Sequence, residues 1–118
     1  VWDWKVVSDI TDDAIMRSVE KYGYHIQESF YRRGLSAVLK ARISWTFAFV
    51  LSVEPFTVRR VCLSPEYIGK GNLTVSKAIR LWQQCLTTGS WPDGSEETLK
   101  LEPRPWLFDD EISDSNAT

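Results

Sequence analysis

The hydrophobic and polar positions of the chain fall into blocks that predict strands separated by helices. The first seven residues place tryptophan and valine around two charges, a short β-rich run that predicts a strand. Over residues 43–53 large and small apolar residues alternate, so both faces are apolar and a buried strand is predicted. Residues 54–56 predict a tight connection to a returning strand over residues 57–63. These two strands would form a hairpin.

Helical periodicity dominates the remaining segments. Thr11 is a predicted N-cap for a first helix, whose apolar positions recur as far as Gly23. A second helical stretch follows over residues 24–39, either as a separate helix or as the continuation of a bent one. The Ser-Pro pair at residues 64–65 predicts the start of a third helix that ends at Gly89. Its predicted buried stripe consists of Ile68, Val75, Ile79, Trp82 and Leu86, with two glycines, Gly69 and Gly71, weakening its first turns.

The order of elements is strand, helix, helix, strand, strand, helix, with a short last strand predicted near Leu99–Leu101. This order indicates an α/β or α+β fold, which by itself selects no function. With 118 residues and 43% hydrophobic content, the chain is ordinary globular material for one domain at most. It contains no apolar run near the ~18 to 20 residues that span a bilayer. Cys62 and Cys85 are isolated in apolar stretches and are expected to be buried thiols.

Charge is unevenly distributed along the chain. Residues 1–95 carry 12 basic and 9 acidic side chains, a net charge of +3, whereas residues 96–118 carry 2 and 7, a net charge of −5. The acidic end predicts a flexible, solvated tail over residues 107–118. The mildly basic body is compatible with a nucleic-acid partner but is weak support for one.

Asp3 and Lys5 are the first candidates for chemistry. Side chains alternate along a strand, so Asp3 and Lys5 lie on one face and Trp2 and Trp4 on the other. Charged groups are costly to bury unless they are paired or bind a metal. Two interpretations are therefore open. One is a plain ion pair near the exposed edge of the strand; the other is a hydrolytic site in which Asp3 binds a divalent cation and Lys5 lies beside the attacked phosphate.

Gln27 and Tyr31 are the second candidates. They are four residues apart and share one face of the second helix, each with a polar tip on a long side chain. His25 falls two positions before Gln27 and is therefore rotated away from that face. Taken alone, the Gln27 and Tyr31 pair could form a hydrogen bond at the helix boundary or clamp a ligand, and a single His more often satisfies a backbone group than acts in catalysis.

Together these segments resemble a known family. The chain resembles the RecB-like and RecE-like exonucleases of the PD-(D/E)xK superfamily in two runs: Val1-Trp2-Asp3-Trp4-Lys5, and Tyr22-Gly23-Tyr24-His25-Ile26-Gln27 followed by Tyr31. The second run points to the exodeoxyribonuclease VIII type. The likeness extends to about Trp106. The resemblance implies an α/β, restriction-endonuclease-like core with a central mixed sheet flanked by helices. Residues 1–106 would be the C-terminal part of this nuclease domain, because the family places further acidic metal ligands upstream of the Asp-x-Lys strand.

The resemblance also implies roles for these residues. Asp3, together with the backbone carbonyl of Trp4, would bind Mg²⁺ or Mn²⁺, and Lys5 would be the catalytic lysine. Gln27 and Tyr31 would complete the catalytic signature and hold the DNA strand or metal-bound water. His25 would contact the DNA or hold in place the side chains that bind the metal and the DNA.

The implied function is metal-dependent exonucleolytic hydrolysis of DNA from double-stranded ends, in phage or prophage recombination or repair. The implied setting is the cytoplasm of a bacterial or phage-infected cell, with a homo-oligomer and a single-strand annealing protein as partners and no membrane. Two alternatives remain open from the sequence. One is a catalytically inactive, nuclease-like module for DNA binding or assembly; the other is a small α/β interaction domain in which Asp3 and Lys5 merely pair.

Overall fold

A computed structural model describes residues 1–92 and 97–108. It contains a three-stranded sheet of β1 (Trp2–Val7), β2 (Thr46–Leu51) and β3 (Val58–Val61). The strands lie in the order β1-β2-β3, with β1 parallel to β2 and β2 antiparallel to β3. The sheet is therefore mixed, as predicted.

Three α-helices accompany the sheet: α1 (Asp12–Tyr22), α2 (Tyr24–Leu39) and α3 (Pro65–Thr88). Because β1 and β2 are parallel, the chain must return across the sheet between them, and α1 and α2 form that crossover. A three-stranded sheet flanked by helices confirms the predicted α/β class.

The helix boundaries follow the predicted capping residues. The Thr11 side chain accepts a hydrogen bond from the Ala14 amide, and Ser64 caps α3 in the same way through the Tyr67 amide. Gly23 has a left-handed backbone with φ of 64° and separates α1 from α2. The first two helical stretches are therefore two helices, because the chain turns at a residue without a Cβ atom.

The core lies between the sheet and the first crossover helix. Phe47 and Phe49 of β2 are fully buried and pack with Ile15 and Val19 of α1. Ala48, on the opposite face of β2, is also buried. The prediction that β2 is buried on both faces is thus confirmed at its centre.

Helices α2 and α3 are joined by a polar network centred on Asn72. Its side-chain oxygen accepts hydrogen bonds from Ser29 Oγ at 2.6 Å and from Arg32 Nη2 at 2.8 Å. Arg33 donates to the Asn72 carbonyl and to Ser76 Oγ. Such partly buried bonds fix the two helices in register, because breaking one leaves a polar group without a partner.

Gly71 lies where α2 and α3 cross. A Cβ atom at this position would stand 2.2 Å from the His25 carbonyl oxygen, whereas one at Gly69 would meet nothing within 4 Å. The two glycines therefore differ in the space available to a side chain. Gly71 permits the close approach of the helices, and α3 remains continuous through both residues.

The predicted buried stripe of α3 is wrong beyond Val75. Val75 is buried, but Trp82 and Leu86 are 60% and 61% exposed and Ile79 is also exposed. The hydrogen bonds from α2 reach α3 at residues 72 and 76. Beyond them, Ile79 and Trp82 of α3 line the same open space as Ile26 and Phe30 of α2. An open apolar groove between the two helices results.

Three other predictions concern the remaining chain. The strand expected near Leu99–Leu101 is wrong: both leucines are exposed and pair with no strand of residues 1–92 and 97–108, and a short 3₁₀ helix at Pro105–Phe108 follows instead. Both cysteines are free, but only Cys85 is buried and Cys62 is exposed. Residues 109–118, most of the predicted acidic tail, lie outside the described residues. No helix in the described ranges has the length and apolar character to cross a membrane.

Candidate active site

Asp3 and Lys5 lie on the covered face of β1. In the parallel register Asp3 is beside Phe47 and Lys5 is beside Phe49, the two buried aromatic residues of β2. The face carrying Trp2 and Trp4 is exposed. The strand therefore turns its charged side chains inward and its tryptophans outward, the reverse of a simple surface strand.

The Lys5 ammonium has two polar partners. It donates a hydrogen bond of 2.7 Å to Gln27 Oε1 and forms an ion pair with Asp3 Oδ1 at 3.3 Å. The Lys5 and Asp3 side chains are only 15% and 17% exposed. A largely buried charge requires such compensation. Because an ammonium has three N–H donors, Lys5 retains capacity for an oxygen of a bound substrate.

Tyr24 is a further member of this cluster that the sequence reasoning missed. Lys5 Nζ lies 4.3 Å from the centroid of the Tyr24 ring, within the range of a cation–π interaction. The ring packs in turn on Phe47 and Phe49 of the sheet. Tyr24 precedes Gln27 by three residues, so their shared helical face was the available signal.

The environment of Tyr24 keeps its phenol neutral. Burial raises the pKa of Tyr24 above its usual value, and the neighbouring Tyr22 and Asp3 raise it further. The ring therefore stays protonated at neutral pH. Its interaction with Lys5 is that of a neutral aromatic face with an ammonium.

Gly23 positions both α2 members of the cluster. The amides of Ile26 and Gln27 donate to the Gly23 carbonyl at 3.0 Å, so α2 starts immediately after the turn. The first turn of α2 thus carries Tyr24 over the sheet and Gln27 against Lys5. The position of Gln27 depends on the turn at Gly23.

The other predicted site residues form no side-chain contact with Lys5 like those of Asp3, Gln27 and Tyr24. Tyr31 is 47% exposed, and its ring packs beside Trp45, immediately before β2. His25 faces α3, with its ring 5.9 Å from that of Tyr67, and its buried Nδ1 has no hydrogen-bond partner among the described residues. Trp4 belongs to the β1–β2 ladder. The structure brings together Asp3, Lys5 and Gln27, and the roles predicted for Tyr31, His25 and the Trp4 carbonyl stay predictions.

Asp3 is the metal-ligating group that this cluster offers. Over residues 1–92 and 97–108, no group of three or more His, Cys, Asp or Glu is arranged to hold a metal ion. Magnesium prefers oxygen ligands, usually keeps several waters, and is often held by one or two carboxylates together with substrate phosphates. A single carboxylate beside a lysine is compatible with that mode of binding.

Comparison with known proteins identifies the family. A family profile described as a PDDEXK-like domain of unknown function (DUF3799) matches residues 1–101. The chain belongs to this PDDEXK-like family. No protein in the curated set matches the sequence.

A solved structure shares the fold of this PDDEXK-like domain. It is the crystal structure of a protein from Eubacterium rectale named as a putative exonuclease, with a TM-score of 0.61 and 17% sequence identity. The match covers 92% of this chain and 45% of that protein. The chain thus spans less than half the length of its structural neighbour, and at this identity the likeness shows the fold alone.

The position of Tyr24 in the PDDEXK-like domain predicts a positioning role. For a nuclease site built on this cluster, Tyr24→Leu should lower the turnover number roughly tenfold with little change in KM, because the aromatic face that holds the Lys5 ammonium is lost. Tyr24→Phe should retain wild-type turnover.

A graded series separates this interaction from packing. Fluorinated phenylalanines at position 24 keep the ring shape while weakening its negative face. Turnover should fall stepwise with fluorination while the melting temperature stays constant. Equal turnover across the series would contradict a cation–π role for Tyr24.

Proposed function

We propose that this PDDEXK-like domain is part of a metal-dependent DNA exonuclease. The observation that supports the proposal most directly is the Lys5 ammonium held between Asp3 and Gln27 on the covered face of β1. The family assignment and the fold shared with a protein named as an exonuclease support it independently. The sequence resemblance extends the proposal to duplex DNA ends and to recombination in phages or prophages.

In this proposal Asp3 would hold Mg²⁺ through its carboxylate, with Mn²⁺ as a substitute. When bound, the metal supplies Lewis-acid stabilisation of the phosphate and lowers the pKa of a coordinated water. Ligands beyond Asp3 would come from outside the cluster described here.

Lys5 acts on the phosphate or on the attacking water. Its ammonium can donate to a non-bridging phosphate oxygen and stabilise the negative charge that develops during hydrolysis. It can equally orient the attacking water, and the two roles place the same nitrogen near the reacting phosphate. Exclusion of bulk water on the covered face strengthens either interaction.

Gln27 and Tyr24 restrict the Lys5 ammonium without supplying chemistry of their own. The Gln27 side-chain oxygen accepts from Lys5 Nζ, which fixes the direction of one N–H bond. The Tyr24 ring supports the ammonium from a third side. A lysine held in this way needs little reorganisation when the substrate binds.

A second candidate function is a catalytically inactive, nuclease-like module that binds DNA. The observation that favours it is that Asp3 is the one carboxylate paired with Lys5 within the described residues. Such a module would retain DNA binding and lack cleavage.

A cleavage assay tests the proposal. The complete natural protein should degrade linear duplex DNA labelled at one end, releasing the label in small products, when Mg²⁺ is supplied. We expect EDTA to stop degradation, Mn²⁺ to restore it, and covalently closed circular DNA to stay intact. DNA bound without cleavage under all these conditions would favour the inactive module, and cleavage of the closed circle would contradict an exonuclease.

A further inference from the structure

Two stacked tyrosine rings, each in contact with a lysine, lead outward from Lys5. The Tyr24 ring that contacts Lys5 is stacked on the Tyr22 ring, with centroids 5.7 Å apart and planes inclined by 26°. Lys21 Nζ lies 5.3 Å from the Tyr22 centroid. We call Lys5, Tyr24, Tyr22 and Lys21 the cation–aromatic stack.

The outer half of this stack is open to solvent. Tyr22, the last residue of α1, is 60% exposed, whereas Ile15 and Val19 of the same helix are buried. Lys21 beside it is also exposed. One face of the Tyr22 ring stacks on Tyr24, and Tyr22 immediately precedes the Gly23 turn. The Tyr24 ring therefore lies between the exposed Tyr22 ring and the proposed catalytic lysine.

This combination suits one class of ligand. Exposed aromatic rings with neighbouring cations bind single-stranded nucleic acid, because every base offers a face for stacking and every nucleotide carries a phosphate. We infer that a base of the DNA strand entering the site stacks on the Tyr22 ring in place of the Lys21 ammonium, which moves aside to bind a phosphate of the same strand. This inference rests on the proposed nuclease function and adds to it a subsite for an unpaired nucleotide.

Direct binding measures this subsite without requiring catalysis. The complete protein, in EDTA, is titrated into a fluorescein-labelled duplex with a four-nucleotide single-stranded overhang, and binding is followed by fluorescence anisotropy. Tyr22→Ala should weaken binding roughly tenfold, and Tyr22→Phe should bind as the wild type does. Met16→Ala, at an exposed apolar position of the same helix, is the matched control and should leave affinity unchanged.

An abasic overhang completes a thermodynamic cycle. For the wild-type protein, removing the bases should weaken binding by about the factor that Tyr22→Ala causes, and for Tyr22→Ala their removal should have little further effect. Lys21→Gln should reduce the slope of log affinity against log salt by about 1, whereas Lys77→Gln on α3 should not.

The outcomes separate this inference from the proposed function. Equal affinity of wild type and Tyr22→Ala for the intact overhang would overturn the subsite even if the enzyme cleaves DNA. Loss of affinity in Tyr22→Ala, in a protein that cleaves nothing, would support the subsite and reject the exonuclease. A protein that neither binds nor cleaves DNA would reject both.

Discussion

Replacing Lys5 by methionine is expected to lower the rate of DNA cleavage by roughly 10²- to 10³-fold, the usual effect of removing one charged or hydrogen-bonding group that stabilises a transition state. Methionine retains the unbranched stem and removes the ammonium. The loss should appear mainly in turnover, because Lys5 acts on charge that develops during the reaction. Steady-state kinetics on labelled duplex DNA measures it.

Asp3→Asn should produce a loss of similar size for a different reason. The amide preserves the shape of the side chain but is a poorer ligand for a hard cation, so part of the lost activity should return at high Mg²⁺ or with Mn²⁺. Lys5→Met should show no such recovery. This difference in metal response distinguishes the metal-binding role from the phosphate-directed role.

Matched controls are available on the helices. Asp13 forms an exposed ion pair with Arg17 on α1, and Lys77 is exposed on α3. Asp13→Asn and Lys77→Met therefore repeat the two chemical changes away from the cluster and should leave cleavage unchanged. Normal cleavage by both Asp3→Asn and Lys5→Met, in folded protein, would reject the catalytic assignment and favour a plain ion pair.

Gly71→Ala should have the largest effect on stability. The added Cβ atom would meet the His25 carbonyl oxygen at 2.2 Å, so α2 and α3 must separate. Forced overpacking of this kind costs typically 1–3 kcal/mol. We expect the free energy of unfolding to fall by about 2 kcal/mol, even though alanine favours the helical backbone more than glycine does.

Gly69→Ala is the control in the same helix. A Cβ atom at Gly69 meets nothing within 4 Å, so the variant should gain up to about 1 kcal/mol from helix propensity alone. Urea unfolding should thus give shifts of opposite sign for the two variants. If Gly71→Ala is as stable as the wild type, the close helix crossing is not a constraint.

Gly71→Ala should also slow cleavage in the folded protein. The added Cβ atom displaces the His25 carbonyl, and Gln27, which contacts Lys5, lies in the same helical turn as His25.

The sequence predicts the strands, helices and caps of this domain more accurately than its burial. Thr11, Gly23 and Ser64 set helix boundaries through local chemistry, which a sequence carries in full. The exposure of Trp82 and Leu86 depends instead on how the helices and the sheet pack together, which local periodicity does not determine. The same limit applies to Leu99–Leu101, whose composition favours a strand but which pairs with none of the three described strands.

In the candidate site, too, the local features could be predicted from the sequence, whereas the contacts between distant segments could not. Alternation along β1 places Asp3 and Lys5 together, and their ion pair follows. The contact between Lys5 and Gln27 joins residues 22 positions apart, so it could be expected only from the family resemblance. The contact of Tyr24 with Lys5 could be predicted only from the position of α2 over the sheet. A Cβ atom would be tolerated at Gly69 and not at Gly71, and this difference could be predicted only from the position at which α2 crosses α3.

The parallel pairing of β1 with β2 has a consequence for the order in which the domain assembles. Residue 2 pairs with residue 46, whereas the β2–β3 hairpin joins residues that are close in sequence. Closing the longer loop costs more chain entropy before any contact repays it. We therefore expect β1 to join the sheet after the hairpin has formed. The contact between Lys5 and Gln27 would then form only once β1 has docked, so the candidate site would be among the last parts of these strands and helices to assemble.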